Sequence, residues 1–330
     1  MHEFDSIFLV NEYTRVVNNS KCVDKKYSTT RLLVRESPVA IVNEVNQPEQ
    51  LEYNIKSVIF LPVGEERKGE GGLRTRGYSK QSYDGKPLIS IVTVVFNGEK
   101  YLEETIQSVI NQTYDNMEYI IIDGNSTDET ISIIKNYEDK VDYWLSERDD
   151  GIYDAWNKGL SLATGDWIGF LGADDVYHEN AISDYINLLL REVDIEYISS
   201  KVELVDNNSN IINTIGIEWK WKDFKHYMSV AHVGSLHSRN LYNKYGLYNT
   251  VYKVAGDYEM LLRPKEGLKC AYLNKITASM RDGGISNKMI HVAFLETLKI
   301  KHNIAKVGLI VCIYDYLISY IKFYIKKLIN

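Results

Sequence analysis

The chain has 330 residues and a formal net charge of -7, which excludes nucleic acid as its main partner, since that would call for a basic face. Hydrophobic residues make up 45% and charged residues 25%, ordinary globular values, so one large or two modest domains with a real core are expected. Three scattered cysteines (Cys22, Cys270, Cys312) form neither a disulfide framework nor a metal knuckle, and no basic segment precedes an apolar run at the amino terminus; a reducing compartment and no signal peptide are expected.

Residues 1–63 alternate short apolar runs (Ile7–Val10, Val39–Val42, Val58–Leu61) with polar stretches and read as a small β-containing extension. Residues 64–86 change character, with six glycines, six Lys or Arg and four Asp or Glu. This is the composition of a flexible linker, with a phosphate-wrapping loop as the alternative. Pro87 then introduces a β-branched run to Phe96, typical of a central parallel strand, which stops at Asn97-Gly98. A helix with Leu102, Ile106, Val109 and Ile110 on one face follows. Tyr119–Ile122 is a second strand ending at Asp123-Gly124, and Ser126 with Glu129 reads as a capping box for the next helix. Val141–Leu145 is a short third strand and 151–163 a helix.

The stretch 165–175 is the most informative. Ile168, Phe170 and Leu171 read as a buried strand between Gly165 and Gly172, and it delivers Asp174 and Asp175 at its carboxyl end. That end of an open α/β sheet is where ligands bind. Two neighbouring acids there repel unless a cation joins them, and a divalent ion that prefers oxygen is the simplest one; a helix N-cap is the alternative. No Gly-x-Gly-x-x-Gly follows the first strand and no Walker loop occurs, so dinucleotide and ATP sites lose their main support.

Beyond Asp175, a helix over about 180–191 leads to a strand at 195–199 and a hairpin turning at Asn207-Asn208. Trp219 and Trp221 suit core packing better than a sugar platform. His232 and His237, five apart on an expected strand, should point to opposite faces, which argues against a shared metal. A helix over 239–245 stops at Gly246. Asp257 begins another helix that Pro264 closes, and the dipole there should lower its pKa; its bland reading is a helix cap. Arg281–Ser286 is a loop before a helix from about Lys288.

Five ordered segments carry a resemblance across residues 88–286: Ser90–Asn97, Ile121–Asp128, Ser146–Gly159, Gly172–Asp175 and Ala255–Glu259. Together they resemble a family 2 glycosyltransferase of the bacterial surface-polysaccharide type. The resemblance implies an α/β fold of GT-A type: a Rossmann-like, mostly parallel sheet with flanking helices, with a small amino-terminal extension and carboxyl-terminal amphipathic helices. It divides the chain into an extension (1–63), a linker (64–86), a catalytic domain (87–290) and a helical tail (291–330). It implies that Asn97, Asp123, Asp154, Asn157, Lys158 and Asp175 serve the nucleotide-sugar donor. Gly172 stands where the first acid of the family's D-x-D element is often found, so Asp174 is the implied ligand of Mg2+ or Mn2+. Asp257 matches the general base, Gly284 and Ser286 belong to a loop that closes over the donor, and His232 is a candidate for acceptor or diphosphate contact. The chemistry agrees: a nucleotide diphosphate leaves well only when its charge is neutralised, and the attacking hydroxyl needs one carboxylate as base. One base and no enzyme nucleophile imply inversion.

Val307–Ile325 is almost wholly apolar, yet Asp315 at its middle would cost about 2.5–3.5 kcal/mol at a bilayer centre. Asp315, Ser319, Lys322 and Lys326 share one helical face, and the net charge from Lys299 onward is basic, so the tail is expected to lie on anionic lipid at the cytoplasmic membrane face. Packing on the protein's own surface or in a homo-oligomer is the alternative. The expected activity is inverting transfer from a nucleotide-diphosphate donor, with a UDP-sugar favoured, to a hydroxyl of a glycan or lipid-linked acceptor. A sugar-nucleotide pyrophosphorylase would want its glycines directly after the first strand, and a non-catalytic sugar-binding protein would not need Asp123, Asp174 and Asp257 together.

Overall fold

The computed structural model describes residues 26–32, 34–35, 55, 57–64 and 66–329. Of the amino-terminal runs, Ile7–Val10 and Val39–Val42 lie outside these residues. Val58–Leu61 is not a strand; it packs as irregular chain, with Phe60 edge-on to Tyr143 at 5.4 Å.

The elements that position the site are β1 (Gly69–Gly71), β2 (Ile89–Val95), α1 (Leu102–Ile110), β3 (Met117–Asp123), α2 (Thr130–Asn136), β4 (Tyr143–Ser146), α3 (Ile152–Leu162), β5 (Trp167–Phe170) and β6 (Val176–Tyr177). There follow α4 (Ala181–Leu189), β7 (Tyr197–Val205), β8 (Ile211–Ile215), β9 (Ser235–Ser238), α5 (Arg239–Tyr245), α6 (Gly256–Leu262), β10 (Cys270–Arg281), α7 (Ile290–Asn303) and α8 (Leu309–Ile329). They form one sheet in the order β1-β4-β3-β2-β5-β9-β7-β10-β6, with β8 paired to β7. The strands β4, β3, β2 and β5 are mutually parallel, as the β-branched run anticipates. Beyond β5, β9 is antiparallel to both neighbours, while β7 and β10 pair in parallel.

Both faces of the parallel half are covered, which is why its strands read as continuous apolar runs. Alternate residues divide between two cores. Ile89, Ile91, Tyr119 and Ile121 face α1 and α4, whereas Val92, Ile120 and Ile122 face α3 and α6. Helix α3 lies so close to β2 that a Cβ on Gly159 would collide with the Val92 side chain. Two local expectations change. Helix α2 starts at Thr130 rather than behind Ser126, because Ser126 Oγ is committed to Asp123 and to the Asn97 N–H, so no capping box forms. Asp174 and Asp175 cap no helix, since β6 intervenes before α4.

The glycine-rich basic segment is bolted to the sheet instead of hanging free. Its strand β1 pairs antiparallel with β4, and Tyr78–Ser79 pairs with Val34–Arg35. Arg74 meets Glu118 at 2.6 Å and Lys80 meets Asp142 at 2.8 Å, all four side chains almost out of water. Glu118 also accepts from Ser90 Oγ, the Thr164 N–H and Thr164 Oγ1. Charge is tolerated in this interior because each ion has an opposite partner and hydrogen bonds.

The tail forms a hairpin of α7 and α8, and no described helix is long and apolar enough to cross a membrane. Asp315 is turned inward, accepting from Lys301 Nζ at 2.9 Å and close to His226 Nδ1 at 3.2 Å. Burial raises its pKa, but these two partners more than offset that and hold it below the ordinary carboxylate value. The opposite face of α8 presents Ile310, Tyr314, Leu317, Ile321 and Ile325 to solvent. Asp315 therefore ties α8 to α7 and to His226, and the apolar face is left outward.

Burial would push the Glu118 pKa up, but the Arg74 guanidinium and the hydrogen bonds outweigh it and hold it at about 2. Its stabilising contribution is then complete above the unfolded value of about 4.3 and lost as pH falls towards 2. Glu118→Gln should cost about 3 kcal/mol at pH 7, because it strands the Arg74 charge. The deficit against wild type in urea unfolding should shrink below pH 4.

Candidate active site

A cavity of about 800 Å³ opens at the carboxyl ends of β2 and β5. The backbone register explains its position: β2 pairs in parallel with both β3 and β5, so the segments after these strands emerge on one edge of the sheet. Asn97, Asp174, Asp175, Asp257, His232, Gly284 and Ser286 all line it. Seven residues singled out from separate parts of the sequence thus meet in one space.

Asn97 takes a left-handed backbone conformation (φ 51°), and its Oδ1 accepts the Thr127 N–H at 2.9 Å. That turn leaves the ring of Phe96 66% exposed at the cavity. Asp175 lies behind Asp174 and accepts the Arg281 N–H at 3.0 Å. Burial raises the pKa of both acids, and the charge of Asp174 raises Asp175 further. Gly172 completes this corner: a Cβ there would lie 2.5 Å from Asp175 Oδ2 and 3.2 Å from Asp174 Oδ1. A first acid at that position would have to push the Asp175 carboxylate aside, and two carboxylate oxygens converge on the space a side chain would fill. Such an all-oxygen cradle suits a hard divalent cation. Among the described residues, no three His, Cys, Asp or Glu side chains gather as metal ligands, so further coordination would have to come from a bound phosphate and water.

Asp257 sits in the first turn of α6, recessed among protein atoms with one edge towards the cavity. Its Oδ1 accepts the Tyr258 N–H at 2.8 Å and the Tyr153 hydroxyl at 3.2 Å. Burial pushes its pKa up to about 6, against those bonds and with help from Glu296. This reverses the direction expected from the helix dipole. A seven-residue helix offers a weak dipole, and desolvation is the larger effect.

His232 and His237 also depart from expectation. Residues 232–234 form a 3-10 turn and β9 begins only at Ser235, so the two rings approach to 5.0 Å between centroids instead of facing apart. His232 stacks on Trp156 at 4.6 Å and 8°, and its Nε2 meets the Tyr248 hydroxyl at 3.2 Å. Burial lowers both imidazole pKa values, so the rings are neutral near pH 7.

Four of the residues expected to serve the donor lie elsewhere. Asp123 is completely buried, accepting the Ser126 N–H and hydroxyl and the Ser146 hydroxyl; it fixes the loop beneath Asn97 and does not reach the cavity. Asp154 and Lys158 line a second cavity of about 410 Å³ with Glu147, Asp149 and Asp150, and Lys158 there pairs with Glu147 at 3.0 Å. Asn157 is spent on the backbone of Tyr248, bonding its carbonyl and its N–H at 2.9 Å each. Trp219 is buried against Phe224 and contributes nothing to the cavity lining.

The residues that sequence reading missed are Tyr153, Trp156, Arg281 and Lys288. Tyr153 and Trp156 line the cavity from one face of α3, three residues apart. Their signal was present inside the segment Ser146–Gly159. Arg281 and Lys288 bring positive charge to the side of Asp174, and the Arg281 guanidinium stacks 4.1 Å over Tyr101.

Residues 90–238 match the family model described as glycosyl transferase family 2. The PGL/p-HBAD biosynthesis glycosyltransferase of Mycobacterium tuberculosis is 28% identical over 219 residues, covering 64% of this chain and 84% of that protein. An uncharacterized glycosyltransferase of Rickettsia prowazekii is 32% identical over 186 residues, 53% of this chain and 57% of its own. Among solved structures, S. aureus TarS 1-349 in complex with UDP superposes with a TM-score of 0.52 at 17% identity, over 68% of each chain. The mannosyltransferase PcManGT from Pyrobaculum calidifontis, in complex with GDP-Man and Mn2+, gives 0.50 at 16% identity over 69% of this chain and 66% of that one. At such identities the likeness is one of fold, and that fold is GT-A.

Proposed function

We propose that this chain, whose residues 90–238 match the glycosyl transferase family 2 model, is a glycosyltransferase that transfers a sugar with inversion from a nucleotide-diphosphate donor to an acceptor hydroxyl. The observation that carries this reading is the convergence of Asp174, Asp175 and Asp257 on one cavity. Two solved proteins of the same fold hold UDP or GDP-Man, which supports a nucleotide-sugar donor.

Asp174, with Asp175 behind it, would hold Mg2+ or Mn2+, which supplies neutralisation of the charge that develops on the departing diphosphate. Arg281 and Lys288 stand beside it as fixed positive charge. The exposed ring of Phe96 offers a π face to the nucleobase, and Asn97, held by Thr127, sets the angle of that ring. Asp123 contributes by fixing that loop. Asp154 and Lys158 line the neighbouring cavity and serve the donor from there, with Asn157 holding the chain around Tyr248. Gly284 and Ser286 close over the donor as part of the loop that follows β10.

Asp257 takes the proton of the attacking hydroxyl. A carboxylate with a pKa of about 6 is suited to proton abstraction, being ionised at neutral pH and still basic enough to accept a proton. Tyr153, Trp156 and His232 wall that end of the cavity with flat apolar surface, which suits the C–H face of a sugar acceptor. A glycan or lipid-linked acceptor fits the outward apolar face of α8, which we place on anionic lipid at the cytoplasmic membrane face, drawn there by the basic charge from Lys299 onward.

Four results are expected. Hydrolysis assays with UDP-GlcNAc, UDP-glucose, UDP-galactose and GDP-mannose should identify a donor, and EDTA or Asp174→Ala should abolish its turnover; full activity in excess EDTA would contradict the cation role. Asp257→Asn should lower turnover by roughly 10²–10⁴-fold with little change in donor affinity. Wild-type turnover should rise with pH through a midpoint at about 6, as Asp257 loses its proton. Truncation after Asn303 should release the protein from anionic vesicles in a pelleting assay at moderate salt; persistent pelleting would show that the tail is not the anchor.

A further inference from the structure

We propose that Glu296, on α7, is a positioning residue for Asp257: its carboxylate gathers the three N–H groups of residues 253–255 and so fixes the turn from which α6 starts. The inference rests on Asp257 acting as the base.

The contact is specific. Glu296 Oε1 accepts the Lys253 N–H at 2.7 Å, and Oε2 accepts those of Val254 and Ala255 at 2.9 Å each. Bonds to an ionised acceptor are shorter and stronger than neutral ones. Helix α6 has no side-chain cap of its own, because the residue at its N-cap is Ala255. Glu296, from a helix about 40 residues further along the chain, instead holds the N–H of that N-cap residue and of the two residues before it. Asp257 follows Ala255 by two residues, so it cannot hold its place if this turn moves. The fit is tight as well: a Cβ on Gly256 would lie 2.7 Å from the Tyr153 ring, the ring whose hydroxyl reaches Asp257.

Glu296 also acts on Asp257 through its charge. The other groups that face Asp257 are Tyr153 on α3, Tyr197 on β7 and Tyr248 in the segment after α5. Burial keeps all three phenols neutral, so among these neighbours Glu296 is the charged one. Its negative charge disfavours the ionised form of Asp257 and adds to the effect of burial. One side chain therefore holds the turn on which the base stands and adds to the burial that raises its pKa.

The test compares Glu296→Gln, Glu296→Asp and Asp257→Asn in the full chain. Glu296→Gln keeps the volume but loses the charge and turns its amide NH2 group towards at least one of the three donors. It should lower turnover of the fastest-hydrolysed nucleotide sugar of the panel by roughly 10–100-fold, the scale of a misplaced reacting group, with donor KM unchanged. The acid limb of its pH profile should move below the wild-type midpoint. Glu296→Asp keeps the charge but withdraws it by one methylene, so it should lose turnover without moving that midpoint. A readout free of substrate is the ¹³C NMR titration of the Asp257 carboxyl, assigned by its loss in Asp257→Asn; it should move to lower pH in Glu296→Gln. Wild-type turnover together with an unmoved Asp257 titration in Glu296→Gln would overturn the proposal. High turnover in Asp257→Asn would instead remove the base assignment, and the carboxyl titration would still report whether Glu296 governs Asp257.

Discussion

Carboxylates taken out of water shape this molecule at both edges of its sheet, with opposite outcomes. On one side Glu118 is deeply buried and met by Arg74, whose charge and accompanying hydrogen bonds outweigh burial, while Asp142 beside it is met by Lys80 and still has its pKa raised by burial. On the other, Asp174, Asp175 and Asp257 meet in a cavity where burial outweighs what their neighbours supply. Glu118 is consequently held at about 2 while Asp257 is pushed to about 6. The same desolvation acts on both; what differs is the partner. The first group holds the segment before β2 in place, and the second is left with a raised affinity for protons.

The parallel register of β2, β3 and β5 makes that second arrangement available. Chain segments far apart in sequence leave the sheet along one edge, and α3 contributes two aromatic rings between them. Neutral tyrosines face Asp257, and the stacked rings of Trp156 and His232 line the same cavity, so this part of the lining carries little positive charge. Positive charge is concentrated near Asp174, through Arg281 and Lys288. One cavity thereby holds a basic, apolar end and a cationic, oxygen-rich end, the division of labour that glycosyl transfer requires.

Much of this was legible in the chain itself. The runs Ile89–Val95, Met117–Asp123 and Trp167–Phe170 announce buried parallel strands, and the residues just after them include Asn97 and Asp174. What escaped reading depends on contacts between distant residues. Nothing near Arg74 in sequence reveals that Glu118 will meet it, so a segment anchored to the edge of the sheet looked like a linker. Ser126 has the spacing of a cap, but Asp123 and Asn97 claim its hydroxyl first. Asp123 carries the family's pattern and yet lies wholly beneath the surface. The direction of the Asp257 shift follows from how much protein surrounds it, and a helix-start pattern carries no record of that. The two histidines were misjudged because a short 3-10 turn, invisible in the apolar pattern, rotates one ring towards the other.

With Asp257 proposed as the base towards the acceptor and no side chain of the enzyme attacking the sugar, the reaction would proceed with inversion. The most direct measurement is therefore the anomeric configuration of the fresh product, read by ¹H NMR from the coupling of the transferred sugar's anomeric proton before mutarotation or further reaction. A configuration inverted relative to the donor is expected. A retained configuration would contradict this mechanism, since that outcome demands a second displacement for which Asp257 would not be the base.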